Sequence, residues 1–214
     1  MVGEDGLARC PWGAGPPEYR RYHDEKWGMP VAEDRRVLEK LCLEGFQSGL
    51  SWLTILRKRE AFRRAFARFD PVELARFGEL DVDRLLADAG IVRHRGKILA
   101  TVGNARATLR LQERGGSLAD LVWSHLPASG LEARPAPERP GDVPSETPES
   151  AQLSAELRRL GFRFVGPKTV YAAMQSLGLV DDHLASCWRR QAVEAARARF
   201  DVPRRAGGPV PGDV

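Results

Sequence analysis

The chain holds three cysteines and four histidines, and four of these seven residues fall into two short pairs. Cys10 and His23 stand near the start. His183 and Cys187 stand near the end, four positions apart. That spacing puts two side chains on one side of a helical turn. Two thiolates and two imidazoles are a common tetrahedral zinc set. With all four positions filled by protein there is no place for an activated water, so the chemistry would be structural: one zinc per chain, tying residue 10 to residue 187. Taken alone, the C-terminal pair reads equally as a half-buried cysteine beside a surface histidine. Cys42 lies on an apolar helix face and belongs to a core. His94 and His125 fit no ligand pattern.

A second constellation is a carboxylate among aromatics. Trp12, Tyr19, Tyr22, Trp27, Phe46 and Trp52 crowd the N-terminal third, which holds three of the five tryptophans. Among them, Glu44 falls on the helix that buries Leu41 and Cys42. A carboxylate there loses solvation and needs a partner. Aromatic faces beside such an acceptor suit a flat, cationic, hydrogen-bonding ligand. The alternative is an aromatic mini-core with a glutamate reaching to its edge.

The elements that must position these groups read as helices. Asp34 can cap a helix carrying Val37, Leu38, Leu41 and Cys42. Phe62, Phe66 and Phe69 repeat at helical spacing, and Asp70-Pro71 is a cap followed by proline at the first helical position. Further helices are expected from Asp81 to Gly90, from His94 to Arg114, from Ser117, and around Leu153, Leu157 and Leu160. Gly161 ends the last of these, and Gly166-Pro167 opens another with Val170, Met174 and Leu177. The intervening Phe162, Phe164 and Val165 can anchor the hairpin in the core. Free amides at the new helix start, with Arg163 and Lys168 adjacent, suit a phosphate. The segment resembles the helix-hairpin-helix motif, which holds a DNA phosphate without reading sequence; an ordinary turn between two helices is the alternative. No period-two strand is evident, so the fold class is all-α.

Length and composition set the frame. The 214 residues suit a single domain, with 43% apolar residues to build a core. One helical domain is expected over residues 1–202, with a disordered tail at 203–214. The Pro127–Pro148 stretch holds six of the fifteen prolines and reads as a long acidic surface loop, 127–149. The net charge of +4 conceals polarity, since residues 93–114 carry six basic residues against one acidic and residues 1–56 are net acidic. An odd, small number of cysteines argues for a reducing compartment. No apolar leader stands at the start and no run reaches the ~18 apolar residues of a membrane span. A soluble, cytoplasmic protein without membrane contact is expected.

Together the motifs resemble the type I 3-methyladenine DNA glycosylases. The resemblance rests on seven ordered stretches: Tyr22-His23-Asp24-Glu25-Lys26-Trp27-Gly28, residues 43–52 from Leu43-Glu44-Gly45 to Ser51-Trp52, Lys58-Arg59-Glu60, Phe69-Asp70-Pro71, Arg93-His94-Arg95-Gly96-Lys97-Ile98 with Asn104-Ala105-Arg106, Gly161-Phe162-Arg163-Phe164-Val165-Gly166, and Gly178 to His183. It implies an all-helical helix-hairpin-helix glycosylase that excises 3-methyladenine from alkylated double-stranded DNA and leaves an abasic site. By position, Cys10, His23, His183 and Cys187 match the family's zinc ligands. Glu44 and Tyr22 match the residues that bond the flipped base, with Glu44 the group expected to matter for catalysis, and Trp52 matches the stacking residue. Trp12, Tyr19 and Trp27 match other pocket aromatics. Gly49 and Leu50 match the residues that fill the gap left by the base. Gly161, Arg163, Gly166 and Lys168 would contact the DNA backbone. Lys168 stands where a small or hydroxyl residue is expected, and Asp181 where Asn is. Asp181 or Asp182 could face the sugar, or could simply hold His183. No lysine is evident in the aromatic cluster, so a hydrolytic, lyase-free monomer is expected. A zinc-stabilised helical module that binds DNA without catalysis is the other reading.

Overall fold

The computed structural model describes residues 2–131 and 135–203, and its elements are helical. In chain order they are α1 (Pro17–Glu25), α2 (Asp34–Gln47), α3 (Trp52–Ala65), α4 (Pro71–Ala75), α5 (Glu79–Ala87), α6 (Arg95–Gln112), α7 (Leu118–Trp123), α8 (Pro148–Arg159), α9 (Pro167–Ser176) and α10 (Arg190–Ala198). No strand occurs among the described residues, only an isolated bridge between Val2 and Ala8. The tail expected to be disordered lies, from 204 onward, outside the described residues.

The organising element is α2. It packs on α3, α6, α7 and α9, and every residue from Val37 to Phe46 is buried. A helix covered on all sides has no polar face to give to water, so its charged residues must find partners inside. Glu39 does so with Arg59 and Arg63 of α3, at 2.8 and 2.9 Å. Phe46, Phe62, Phe66 and Phe69 stack beside it. The chain reverses sharply through Ala67, Arg68 and Phe69, all left-handed; burying Phe66 and Phe69 completely offsets that strain.

Several helix ends match the expected caps. Asp70 accepts from the amides of Val72 and Glu73, His94 from Lys97, and Ser117 from Asp120. Asp34 differs. It is the first residue of α2 rather than its cap, and its carboxylate instead holds Ser117 Oγ and the Ala119 amide at the start of α7, both at 2.8 Å. The described part of the Pro-rich stretch lies at the surface, with no buried residue over 135–149. It ends at Thr147, which caps α8, and holds a short turn at Pro140–Asp142. There the Ala185 amide donates to the Pro137 carbonyl at 2.9 Å.

The hairpin between α8 and α9 is fixed from both sides. Asn104 of α6 clamps Arg163, accepting from its amide at 2.8 Å and donating to its carbonyl at 3.2 Å. Phe162 and Val165 are buried as expected, but Phe164 is not part of the core. Its backbone is left-handed and it is 40% exposed, meeting the His94 ring edge-on. The left-handed backbone at Phe164 turns its side chain away from the side that Phe162 and Val165 share. Replacing Asn104 with Ala strands both Arg163 groups. It should cost about 2 kcal/mol and lower the thermal midpoint by several degrees in a melt followed by circular dichroism.

Candidate functional site: an aromatic pocket beside a Cys/His cluster

One cavity of about 420 Å³ opens between α1, α2, the start of α3, the end of α9 and the 182–184 segment. Trp12, Tyr19, Tyr22, Trp27 and Trp52 all line it, with Glu44 on its floor. The aromatics brace one another: Trp12 meets Trp27 edge-on at 5.0 Å, and Tyr22 meets Trp52 at 5.4 Å. Tyr19 accepts from the Leu53 amide at 3.0 Å, which ties α1 to the first turn of α3. The indole Nε1 of Trp52 is buried and has no hydrogen-bond partner among the described residues.

The partner that Glu44 requires is Lys40, one helical turn earlier, and the two form a buried ion pair. This corrects the expectation that no lysine stands in the aromatic cluster. The Lys40 ammonium lies 3.9 Å from the centre of the Trp52 ring and donates to Tyr22 Oη at 2.7 Å. Tyr22 Oη in turn donates to Ser176 at 2.8 Å. Burial alone would pull the ammonium down, but the Glu44 charge and the Tyr22 phenol outweigh it and hold Lys40 above the ordinary lysine range. Lys40 was legible in principle, as a charge at the i−4 position from Glu44 on a helix rich in apolar residues. Gln47 and Gln175 also line the cavity, as do Pro140, Val143 and Pro144 of the Pro-rich stretch. Gln47 lies in the 43–52 stretch beside Glu44, whereas Gln175 and the three Pro-rich-stretch residues come from distant chain segments whose sequence neighbourhoods carry no signal for this.

Cys10 and Leu184 form the far wall, and behind them lies the Cys/His cluster. The ligand atoms of Cys10, His23 and Cys187 sit within 4.8 Å of one another, all buried. His183 stands beside them, its ring centre 5.0 Å from that of His23. His183 and Cys187 are brought together by a turn closed by Cys187 N to Leu184 O at 2.8 Å, rather than by the helix expected from their spacing. Asp24 bonds His23 Nδ1 at 2.8 Å and Asp181 bonds His183 Nδ1 at 2.7 Å. Each carboxylate therefore leaves Nε2 to face a ligand. His183 Nε2 is buried without a partner. The close approach of the two cysteines favours a thiolate on Cys187, pulling it down, and pushes Cys10 up. Soft donors, oriented imidazoles and an orphaned buried nitrogen fit a tetrahedral metal. Gly13 is required here, since a Cβ would lie 2.5 Å from the His23 ring.

Asp181 accepts the His183 amide as well as the ring, and so holds the imidazole. Asp182 lines the cavity and accepts from Tyr171 at 2.6 Å and from Gln175 at 2.9 Å. Cys42 is core, its thiol pushed up to about 12 by burial.

Outside the cavity, Gly49 and Leu50 form an exposed knuckle between α2 and α3, with Leu50 42% exposed. Lys97 of α6 fixes it, donating to the carbonyls of Phe46 at 2.9 Å and Ser48 at 2.6 Å. The hairpin reaches the same end of α2, where a Cβ on Gly45 would lie 3.0 Å from Phe164 Cβ. Arg93, Arg163 and Lys168 are exposed. The geometry thus brings together the aromatic, carboxylate and Cys/His residues singled out in the sequence. It places Gly161, Arg163, Gly166 and Lys168 outside the cavity, on and beside the hairpin.

The cavity is lined by five aromatic side chains with Glu44, and the knuckle and the hairpin stand exposed outside it. The residues from 12 to 190 match the family model described as methyladenine glycosylase, and the chain belongs to that family. It is 46% identical over 188 residues to DNA-3-methyladenine glycosylase 1 of Escherichia coli K12, covering 85% of this chain and 96% of that one. It resembles a crystal structure of 3-methyladenine DNA glycosylase I with a TM-score of 0.79 and 44% identity, covering 85% of this chain and 98% of the other. A variant of 3-methyladenine DNA glycosylase I, solved in complex with 3-methyladenine, matches with a TM-score of 0.80 at 35% identity, covering 85% and 97%.

The tether of the knuckle is open to direct measurement. Lys97→Met frees the carbonyls of Phe46 and Ser48, so amide exchange across residues 47–50 should accelerate at least about tenfold while that of α9 stays slow.

Proposed function

We propose that this chain is a DNA-3-methyladenine glycosylase, and that the cavity holds the flipped base. The observation that carries the reading is the buried Glu44 carboxylate facing an aromatic cavity beside Trp52, in a member of the methyladenine glycosylase family. Methylation at N3 makes adenine cationic and weakens its glycosidic bond. The base leaves neutral, so strong protonation of the leaving group is not needed. The work of the protein is to extrude the nucleotide, hold the base and reject normal adenine. Trp52 stacks on the ring, while Glu44 and Tyr22 read its polar edge. A cationic ring gains more than a neutral one from both. Leu50 with Gly49 fills the gap left in the duplex. The 160–166 segment acts as a helix-hairpin-helix, with Arg163, Gly161, Gly166 and Lys168 on the phosphates of double-stranded DNA. Water completes the hydrolysis and leaves an abasic site. The protein acts as a monomer in the cytoplasm.

Lys40 bears on whether the enzyme also cleaves the backbone. A Schiff base needs a free amine, and Lys40 is an ammonium shared among Glu44, Tyr22 and the Trp52 ring. The reading is therefore a monofunctional hydrolase, and borohydride should trap no adduct with abasic DNA.

Cys10, His23, His183 and Cys187 would hold one structural zinc, whose contribution is to clamp the two ends of the chain. The residues behind the cavity wall would then be locked in place. Metal analysis of the purified protein should find about one zinc per chain, and Cys187→Ala should lose it and melt at lower temperature.

The activity itself is tested by incubating the protein with methylated duplex and measuring free 3-methyladenine. Release distinguishes a glycosylase from a module that only binds DNA. Glu44→Gln should slow single-turnover release on the order of tenfold to hundredfold; an unchanged rate would remove Glu44 from the mechanism.

A further inference from the structure

The two groups best placed to read a base are both already engaged. Glu44 is paired with Lys40. Tyr22 Oη donates to Ser176 and accepts from Lys40. The Trp52 ring also carries the Lys40 ammonium, 3.9 Å from its centre. A single side chain thus takes the carboxylate, the phenol and the aromatic face together. These are the three interactions that a flat cation would make in this cavity. Lys40 lines the cavity itself, so its head is at the binding surface rather than behind it.

We propose that Lys40 is the gate of the base pocket: its ammonium stands where a cationic base would stand, and a base enters by displacing it. This rests on the cavity being the base site. The four-carbon stem gives the head freedom to swing away while the backbone of α2 stays fixed. The exchange then selects by charge. A cationic ring replaces one positive charge with another on Glu44 and on Trp52, so nothing buried is left uncompensated. A neutral adenine offers Glu44 no charge in return for the one it removes, and must compete with a cation–π contact using stacking alone. Lys40 therefore sets a threshold that ordinary bases fall below, in addition to any attraction that Glu44 exerts.

A positioning role for Lys40 predicts the opposite behaviour. If the ammonium only held Glu44 and Tyr22 in place, its removal would weaken every ligand of the cavity. Displacement predicts that removing it strengthens binding, because the competitor is gone.

The experiment is a titration with 3,9-dimethyladeninium, a ring that keeps the positive charge free 3-methyladenine lacks, followed by tryptophan fluorescence, on wild type, Lys40→Met and Lys40→Arg. Lys40→Met should bind at least about tenfold tighter than wild type and should release more unmethylated adenine from normal duplex. Lys40→Arg keeps the charge and should bind no tighter than wild type. Equal or weaker binding by Lys40→Met overturns the gate. Should that variant not fold, the wild-type protein decides the matter in a crystal grown with the same cation. The Lys40 ammonium should have left the Trp52 ring and the Glu44 carboxylate; finding it still on both overturns the proposal. Wild type that neither binds the cation nor releases 3-methyladenine from methylated duplex would instead sink the assigned activity, whereas wild type that does both while Lys40→Met gains nothing sinks the gate alone.

Discussion

The burial of α2 on every side governs the rest of the molecule. Beyond its exposed first turn α2 has no solvent face and can carry charge only where another charge meets it, as at Glu39, Lys40 and Glu44. Glu39 is answered from α3 by two arginines. Lys40 and Glu44 answer each other and open onto the cavity. The same requirement that makes these groups tolerable in the core makes them competent at the site. A carboxylate kept from water by Trp52 and Tyr22 acts on a ligand through a low dielectric, where a charge discriminates strongly.

The second requirement is that the two ends of the chain meet behind that site. The aromatic wall is carried by the turn at Pro11–Ala14 and by α1, and the opposite wall by residues 182–184. The Cys/His cluster, with Tyr22, Trp27 and Leu184 packed beside it, joins them. Trp27 packs on His183 at 4.5 Å and on Trp12 at 5.0 Å, linking the cluster to the cavity through one ring. The helix α10 begins where the family match ends and covers this region from outside. Arg190 donates to the His183 carbonyl, and the buried Arg197 donates to the carbonyls of Gly178 and Leu179 beyond the end of α9. These bonds brace the loop that carries His183 and Cys187.

Around the rim, polar side chains fix backbone rather than one another. Lys97 holds the end of α2 and the knuckle beyond it, and Asn104 holds the hairpin. Both sit on α6, one near its start and one near its middle, so a single rigid helix sets the distance between Leu50 and Arg163. The knuckle and the hairpin are registered by the same element.

The sequence by itself determined most of the local structure. Asp70, His94 and Ser117 announce helix starts because a cap bonds amides two or three residues away, which is a property of neighbours. It also picked out Trp12, Tyr19, Tyr22, Trp27, Glu44 and Trp52, which line the cavity, because they are concentrated in one stretch, and it singled out Cys10, His23 and Cys187, which converge, with His183 beside them. What it could not determine depends on contacts between distant segments. The role of Asp34 lies 85 positions away at Ala119. The Pro-rich stretch reads as surface because proline excludes helix, yet the partner of Pro137 at Ala185 turns it into a cavity wall. Lys40 reads as one of many surface charges until α3, α6, α7 and α9 close over α2. Only that closure removes the water that would otherwise have solvated it, and so only the tertiary structure decided that its partners would be Glu44, Tyr22 and Trp52.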